Sequence, residues 1–182
     1  ISKSAHTSCN RFYFIWNSDI YCSRSITSKK ISTQRFKKHI KMIYRFRAIL
    51  DHDQKEDIFR DIEIRKTDTF EDLHNVLTQS FGFDGSEMAS FYSSNAQWEQ
   101  GQEIALFDMG QTEEVQMMNE TILEEVVNEE NPKLIYVYDF LNMWTFLVEL
   151  GEIVDEAQGT DYPNLLFVCG QVPAEAPERK FE

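Results

Sequence analysis

The chain is short of the residues that staple or interrupt folds: its 182 residues include three cysteines, four prolines and seven glycines. Cys9, Cys22 and Cys169 are far apart, odd in number and never in C-x-x-C spacing, which argues against a cysteine-dense disulfide scaffold and a cysteine-rich zinc site. A reducing, cytoplasmic compartment is the expectation. No run approaches the roughly 20 apolar residues that span a bilayer. The nearest stretch, Leu134 to Leu150, is interrupted by Asp139 and Asn142, so no role in the membrane is expected. Signatures of common chemistry are missing too: there is no G-x-S-x-G elbow, P-loop, G-x-G-x-x-G or H-E-x-x-H.

Charge is present in quantity and unevenly distributed. Residues 1–41 hold nine Lys or Arg against one acid, Asp19, a net +8; residues 42–182 hold nine against 30, a net −21. The first residue is Ile1, and clean patterning begins only at Met42. Residues 1–41 therefore read as translated upstream sequence, with Met42 the natural start. The alternatives are a disordered basic arm for nucleic acid, carried by Lys29, Lys30, Arg35, Lys37, Lys38 and Lys41, and an acid-poor, Ser-rich targeting peptide. The domain is expected over 42–173, with an acidic, Pro-containing tail over 174–182.

Within the acidic part, Tyr44, Phe46, Ala48 and Leu50 alternate with Arg45, Arg47 and Ile49, the two-residue period of a half-buried strand. Ile58, Ile62 and Ile64 alternate in the same way. A hairpin that sets Phe46 opposite Ile62 brings Arg45 to Glu63 and Arg47 to Asp61 on the solvent face. Thr69 with Asp72 forms a helix N-cap, and Phe70, Leu73, Leu77 and Phe81 recur at helical spacing until Gly82. His74, on the flank of that stripe, and His52, in the hairpin loop, have no second ligand nearby and read as structural. Short strands over Ala89 to Ser93 and Glu103 to Phe107 follow, around a polar loop with Trp98 and Gly101. A capping box at Thr121 opens a short helix. The last hairpin, Leu134 to Tyr138 and Met143 to Leu150, is apolar on both faces and sets Tyr138 opposite Trp144. The expected fold is α+β: a mostly antiparallel sheet of about six strands with two helices on it, in the order β-β-α-β-β-α-β-β.

Met42 to Leu50, Asp61 to Phe83 and the run Tyr138-Asp139-Phe140-Leu141-Asn142-Met143-Trp144 resemble the plasmid pRiA4b ORF-3-like family. The resemblance covers roughly Met42 to Pro173 and implies a compact α+β domain. Its members carry Tyr-Asp-Phe, Gly-Asp and a Trp in the late hairpin. Here Leu141 and Asn142 stand where Gly and Asp are usual, and Phe146 where many members have His, so a polar site in that turn would be impaired. The family implies no activity, and its mobile-element name is a weak association with DNA.

Tyr138, Asp139 and Trp144 are the binding candidates. In a tight hairpin Asp139 can accept hydrogen bonds from turn N–H groups while the two rings pair across the strands; the functional alternative is an aromatic and carboxylate patch that recognises a partner. Paired acids such as Glu124-Glu125 and Glu129-Glu130 read as solvated charge. No catalytic residue, metal ligand or cofactor is expected. The leading expectation is a non-enzymatic cytoplasmic interaction domain whose acidic surface engages a protein with a basic surface, without membrane binding or direct nucleic-acid contact through this domain. One alternative is an enzyme with a site in the loops near Trp98 and Asp139. The other is a mobile-element-associated protein acting on a DNA-binding partner.

Overall fold

A computed structural model of the chain describes residues 41–52, 56–108, 110 and 115–177. The expectations for the basic segment before Lys41 and for residues 178–182 lie outside them. The described residues belong to one compact unit, Ile40–Glu182.

Strand β1, Met42–Leu50, buries Tyr44, Phe46, Ala48 and Leu50 and turns Arg45 and Arg47 to solvent. It pairs antiparallel with β2, Phe59–Arg65, in the register set by the faces: Phe46 opposes Ile62 and Tyr44 opposes Ile64. On the other face Arg45 Nε donates to Glu63 at 2.8 Å, and Arg47 donates to both Asp61 oxygens at 2.7 and 2.8 Å. The exposed Arg47–Asp61 pair contributes about 0.2–1 kcal/mol, whereas Glu63 is itself buried.

Helix α1, Phe70–Phe81, begins where the Thr69 hydroxyl accepts from the Asp72 N–H and the Asp72 carboxylate accepts from the Thr69 N–H at 2.9 Å. It ends at Gly82, whose φ of 85° is open to glycine at little cost. Its buried stripe, Phe70, Leu73, Leu77 and Phe81, lies on the inner face of the sheet. Phe70 meets Phe91 edge-on at 5.2 Å, and Phe81 lies 4.6 Å from Phe146. Each of these side chains removed from water contributes roughly 1.5–3 kcal/mol.

The remaining elements are β3, Ala89–Ser94; β4, Gln100–Ala105; β5, Gln116–Met117; α2, Leu123–Val126; β6, Lys133–Tyr138; β7, Trp144–Asp155; and β8, Asn164–Cys169. One sheet runs β5-β4-β3-β6-β7-β1-β2-β8, antiparallel throughout except for the parallel β4–β5 pair. This corrects the expected fold class: the described residues form eight strands in one mixed sheet with two short helices, in the chain order β-β-α-β-β-β-α-β-β-β. β5 is two residues long and sits in a polar stretch, too short to show any period. β8 has no counterpart in the expected order, and it forms because pairing with β2 supplies its backbone hydrogen bonds. β7 runs past Leu150 to Asp155 because β1 continues to pair with it beyond a bulge at Arg45/Phe46, where Gly151 is left without a partner.

The second helix is also shorter than its sequence suggests. Ile122, not Thr121, is its N-cap and makes no side-chain cap; the Thr121 hydroxyl donates instead to the Met117 carbonyl at 2.8 Å. Thr69 and Ile122 form an isolated bridge, so tertiary pairing of the two helix starts overrides the local capping box. The Tyr44 hydroxyl fastens the end of α2 to β1 through the Val127 carbonyl at 2.9 Å.

Candidate functional site

The sequence candidates stand at the end of β6. Tyr138 opposes Trp144, Tyr136 opposes Phe146 and Leu134 opposes Val148, which makes one aromatic and aliphatic face across the hairpin. Trp144 is 6% exposed and Tyr138 2%. Phe83 lies 5.0 Å from each of their rings and closes the group from the segment after α1. The Tyr138 hydroxyl donates to Asp84 at 3.0 Å. Asp84 also accepts from the N–H and hydroxyl of Ser86, and these bonds, with that of Tyr138, hold its carboxyl below the usual range.

Asp139 is spent on the turn. Its φ is 56°, and its carboxylate accepts from the N–H groups of Leu141 at 3.1 Å and Asn142 at 3.3 Å, and from the Asn142 amide at 2.6 Å. Its own N–H donates to the Met88 carbonyl at 2.8 Å. Asn142, which replaces the acid usual in the family, is therefore a donor to Asp139. A second carboxylate there would repel it. The tip beyond is apolar and exposed, with Leu141 93% accessible.

Behind this face, His74 is buried, and its Nδ1 lies 2.8 Å from the Tyr136 hydroxyl. Burial pushes its pKa down, and a hydrogen bond with the Gly85 backbone opposes that only in part. A neutral ring that serves the Gly85 backbone through one nitrogen leaves the other to accept from the Tyr136 hydroxyl. Burial pushes the Tyr136 phenol well up.

The loop that carries Trp98 is elsewhere. Trp98 has a φ of 61°, and Asn95 braces the loop by accepting from the N–H groups of Gln97 and Glu99 at 3.0 and 3.1 Å. The Lys133 ammonium lies 4.4 Å from the Trp98 ring centroid and donates to the Ala96 carbonyl at 3.4 Å. Lys133 opens β6 and Tyr138 closes it, so the Trp98 loop and the Asp139 turn stand at opposite ends of that strand, roughly 20 Å apart at about 3.3 Å per residue. The two loops named in the enzyme alternative, near Trp98 and near Asp139, therefore do not adjoin along β6.

Two polar groups went unnoticed in the sequence. Arg60 is buried, with no carboxylate partner; its guanidinium donates to the carbonyls of Ser80, Phe59 and Cys169 at 2.9, 2.8 and 2.7 Å and lies over the Phe81 ring. Desolvation lowers its pKa. Its inward position in the β2 alternation, between Ile58 and Ile62, is the signal that could have found it. Glu103 accepts from the hydroxyls of Ser90 at 2.7 Å and Tyr92 at 3.1 Å across the β3–β4 pair, which no local spacing reveals. No group of three or more His, Cys, Asp or Glu side chains suited to a metal ion occurs among the described residues, and none of their helices is long and apolar enough to cross a membrane.

No curated protein matches the chain. Among solved structures, a protein of unknown function, MM3350 from Methanosarcina mazei Go1, is similar at 20% identity and a TM-score of 0.62, covering 71% of this chain and 70% of that one. That likeness concerns the fold. The profile of the plasmid pRiA4b ORF-3-like proteins matches residues 42–177, which takes in the whole sheet, both helices and the Tyr138 to Trp144 hairpin. The chain belongs to the plasmid pRiA4b ORF-3-like family.

Proposed function

We propose that the domain is a non-enzymatic interaction module whose acidic surface engages a protein with a basic surface. The observation that carries this reading is how the charges are disposed. Among the described residues, Lys41, Arg45, Arg47, Arg65, Lys66 and Lys133 each lie within 4.0 Å of a carboxylate, and Arg60 is buried against carbonyls. Acids such as Glu71, Glu87, Glu120, Glu125, Glu129, Glu130 and Asp155 are left without an ion pair among the described residues. Such a surface repels phosphate backbones and steers cationic partners toward it.

The placement of the candidate residues supports the same reading. Asp139 is occupied by its turn, Tyr138 and Trp144 are packed, and the Trp98 loop is a strand's length away. An enzyme built on these groups would need them to converge in one cavity. The cytoplasmic location expected from the sparse cysteines belongs to the same proposal, as does the weaker idea that the partner is itself a DNA-binding protein.

Affinity capture with the full chain tests the proposal: recovered proteins should be basic and should elute as salt is raised from 0.1 to about 0.5 M, where screening is severe. Recovery of neutral or acidic proteins that resist salt would contradict it.

A further inference from the structure

The two edges of the sheet are unlike. β5 is a two-residue edge, the short kind that resists further pairing. At the other edge, β8 runs six residues, Asn-Leu-Leu-Phe-Val-Cys, with no charge and no proline. It pairs with β2 on one side only, and no strand lies beyond it among the described residues. Edge strands are ordinarily blunted by charge, proline or a cover. Here Leu165, Leu166, Phe167 and Val168 are 40, 45, 49 and 52% exposed.

Phe167 opposes Asp61 and stacks on Phe59 at 5.8 Å on the outer face, while Leu165 and Val168 oppose Ile62 and Arg60 on the inner face. From Leu165 to Val168 both faces of the strand are therefore apolar and exposed. Acids without an ion pair among the described residues stand at both ends. Asp161 precedes the strand. Glu56 and Asp57 lie at its far end, where a Cβ on Gly170 would stand 3.0 Å from the Asp57 carbonyl.

We infer that β8 takes up an extended segment of another protein by strand addition, and that this segment has apolar residues at its centre and Lys or Arg at both ends. The N–H and C=O groups of Leu165 to Val168 that point away from β2 supply the ladder, the four side chains hold the partner's alternating residues, and the terminal acids read its flanks. The inference rests on the acidic-module reading and names the partner's shape. A second copy of this chain fits less well, since its own β8 ends would bring Asp161 and Asp57 against like charges.

The test uses the full chain and fluorescent peptides. The probe is Lys-Lys-Val-Thr-Val-Thr-Val-Lys-Lys, compared with a Gly-Ser centre, with Glu flanks, and with two versions N-methylated on alternate backbone amides. Strand addition predicts at least tenfold weaker binding for the Gly-Ser and Glu peptides and for one of the two methylated forms. Leu166→Glu adds a negative charge, yet it should weaken the probe at least fivefold, with an unchanged melt as the check on folding. If all Lys-flanked peptides bind alike and methylation has no effect, the edge inference falls while the acidic-module reading stands. If no Lys-flanked peptide binds, both fall. Equal binding of the Glu-flanked peptide overturns the charge matching, and dimerisation of the chain that Leu166→Glu abolishes overturns the inference in favour of a second copy.

Discussion

Trp144 and Asp139 separate packing from recognition at the level of single side chains. Trp144 fills the space between Tyr138 and Phe83, so Trp144→Ala should destabilise the fold by about 3–5 kcal/mol, the range for deleting a buried large aromatic. Asp139→Asn keeps an oxygen for the N–H groups of Leu141 and Asn142 and should cost about 1 kcal/mol or less. Urea unfolding of both variants checks the order; an Asp139→Asn protein that melts normally but loses its partner would make the turn a binding site. His74 adds a pH dependence. Its folded pKa lies below its ordinary 6.5, so the unfolded chain binds the extra proton, and stability falls as pH drops below about 6.5. Across pH 7.5 to 5.5 the parent should therefore lose more stability than His74→Asn, which retains an acceptor for Tyr136, and the difference between the two slopes isolates the ring. Equal slopes would mean that the folded and unfolded chains protonate His74 alike.

Among the elements, α1 and the two hairpins were legible because each is closed by contacts within one or two neighbouring segments. Alternation placed Phe46 opposite Ile62 and Tyr138 opposite Trp144, and the Thr69–Asp72 box and Gly82 bounded the helix. The elements that escaped depend on distant partners. β5 exists only through β4, β8 only through β2, and α2 starts where the bridge to Thr69 places it rather than at Thr121. At the candidate site, the turn role of Asp139 could be read locally, whereas the Asp84 and Phe83 contacts, which come from 54 and 61 positions away, could not. Arg60 is the tie that the sequence concealed: it joins the last turn of α1 to the end of β8. Arg60→Met should cost about 1–3 kcal/mol by leaving buried carbonyls unsatisfied. Amide exchange should then rise at Ser80 to Phe83 and along β8 before it rises in β6. Uniform deprotection of the whole sheet would show that Arg60 does not act locally.

For the molecule as a whole, one sheet holds every described strand, and the inner face carries both helices. Val172 and Ala176 pack against the core, and the family match runs from residue 42 to residue 177. A chain beginning at Met42 should accordingly melt within a few degrees of the full chain; a larger loss would make residues 1–41 part of the fold. The same division assigns any attraction for phosphates to the basic segment and any attraction for cations to the domain, because the two parts carry net charges of +8 and −21.

That separation of charge can be measured directly. Fluorescence anisotropy of the Met42-start chain against a labelled oligolysine and against duplex DNA, each at 50 and 300 mM salt, puts the acidic-module account to its plainest test. The account predicts that oligolysine binds at 50 mM, that its affinity falls at least tenfold at 300 mM, and that DNA does not bind at either. Salt-sensitive DNA binding by this chain, or oligolysine affinity that is absent or indifferent to salt, would contradict it.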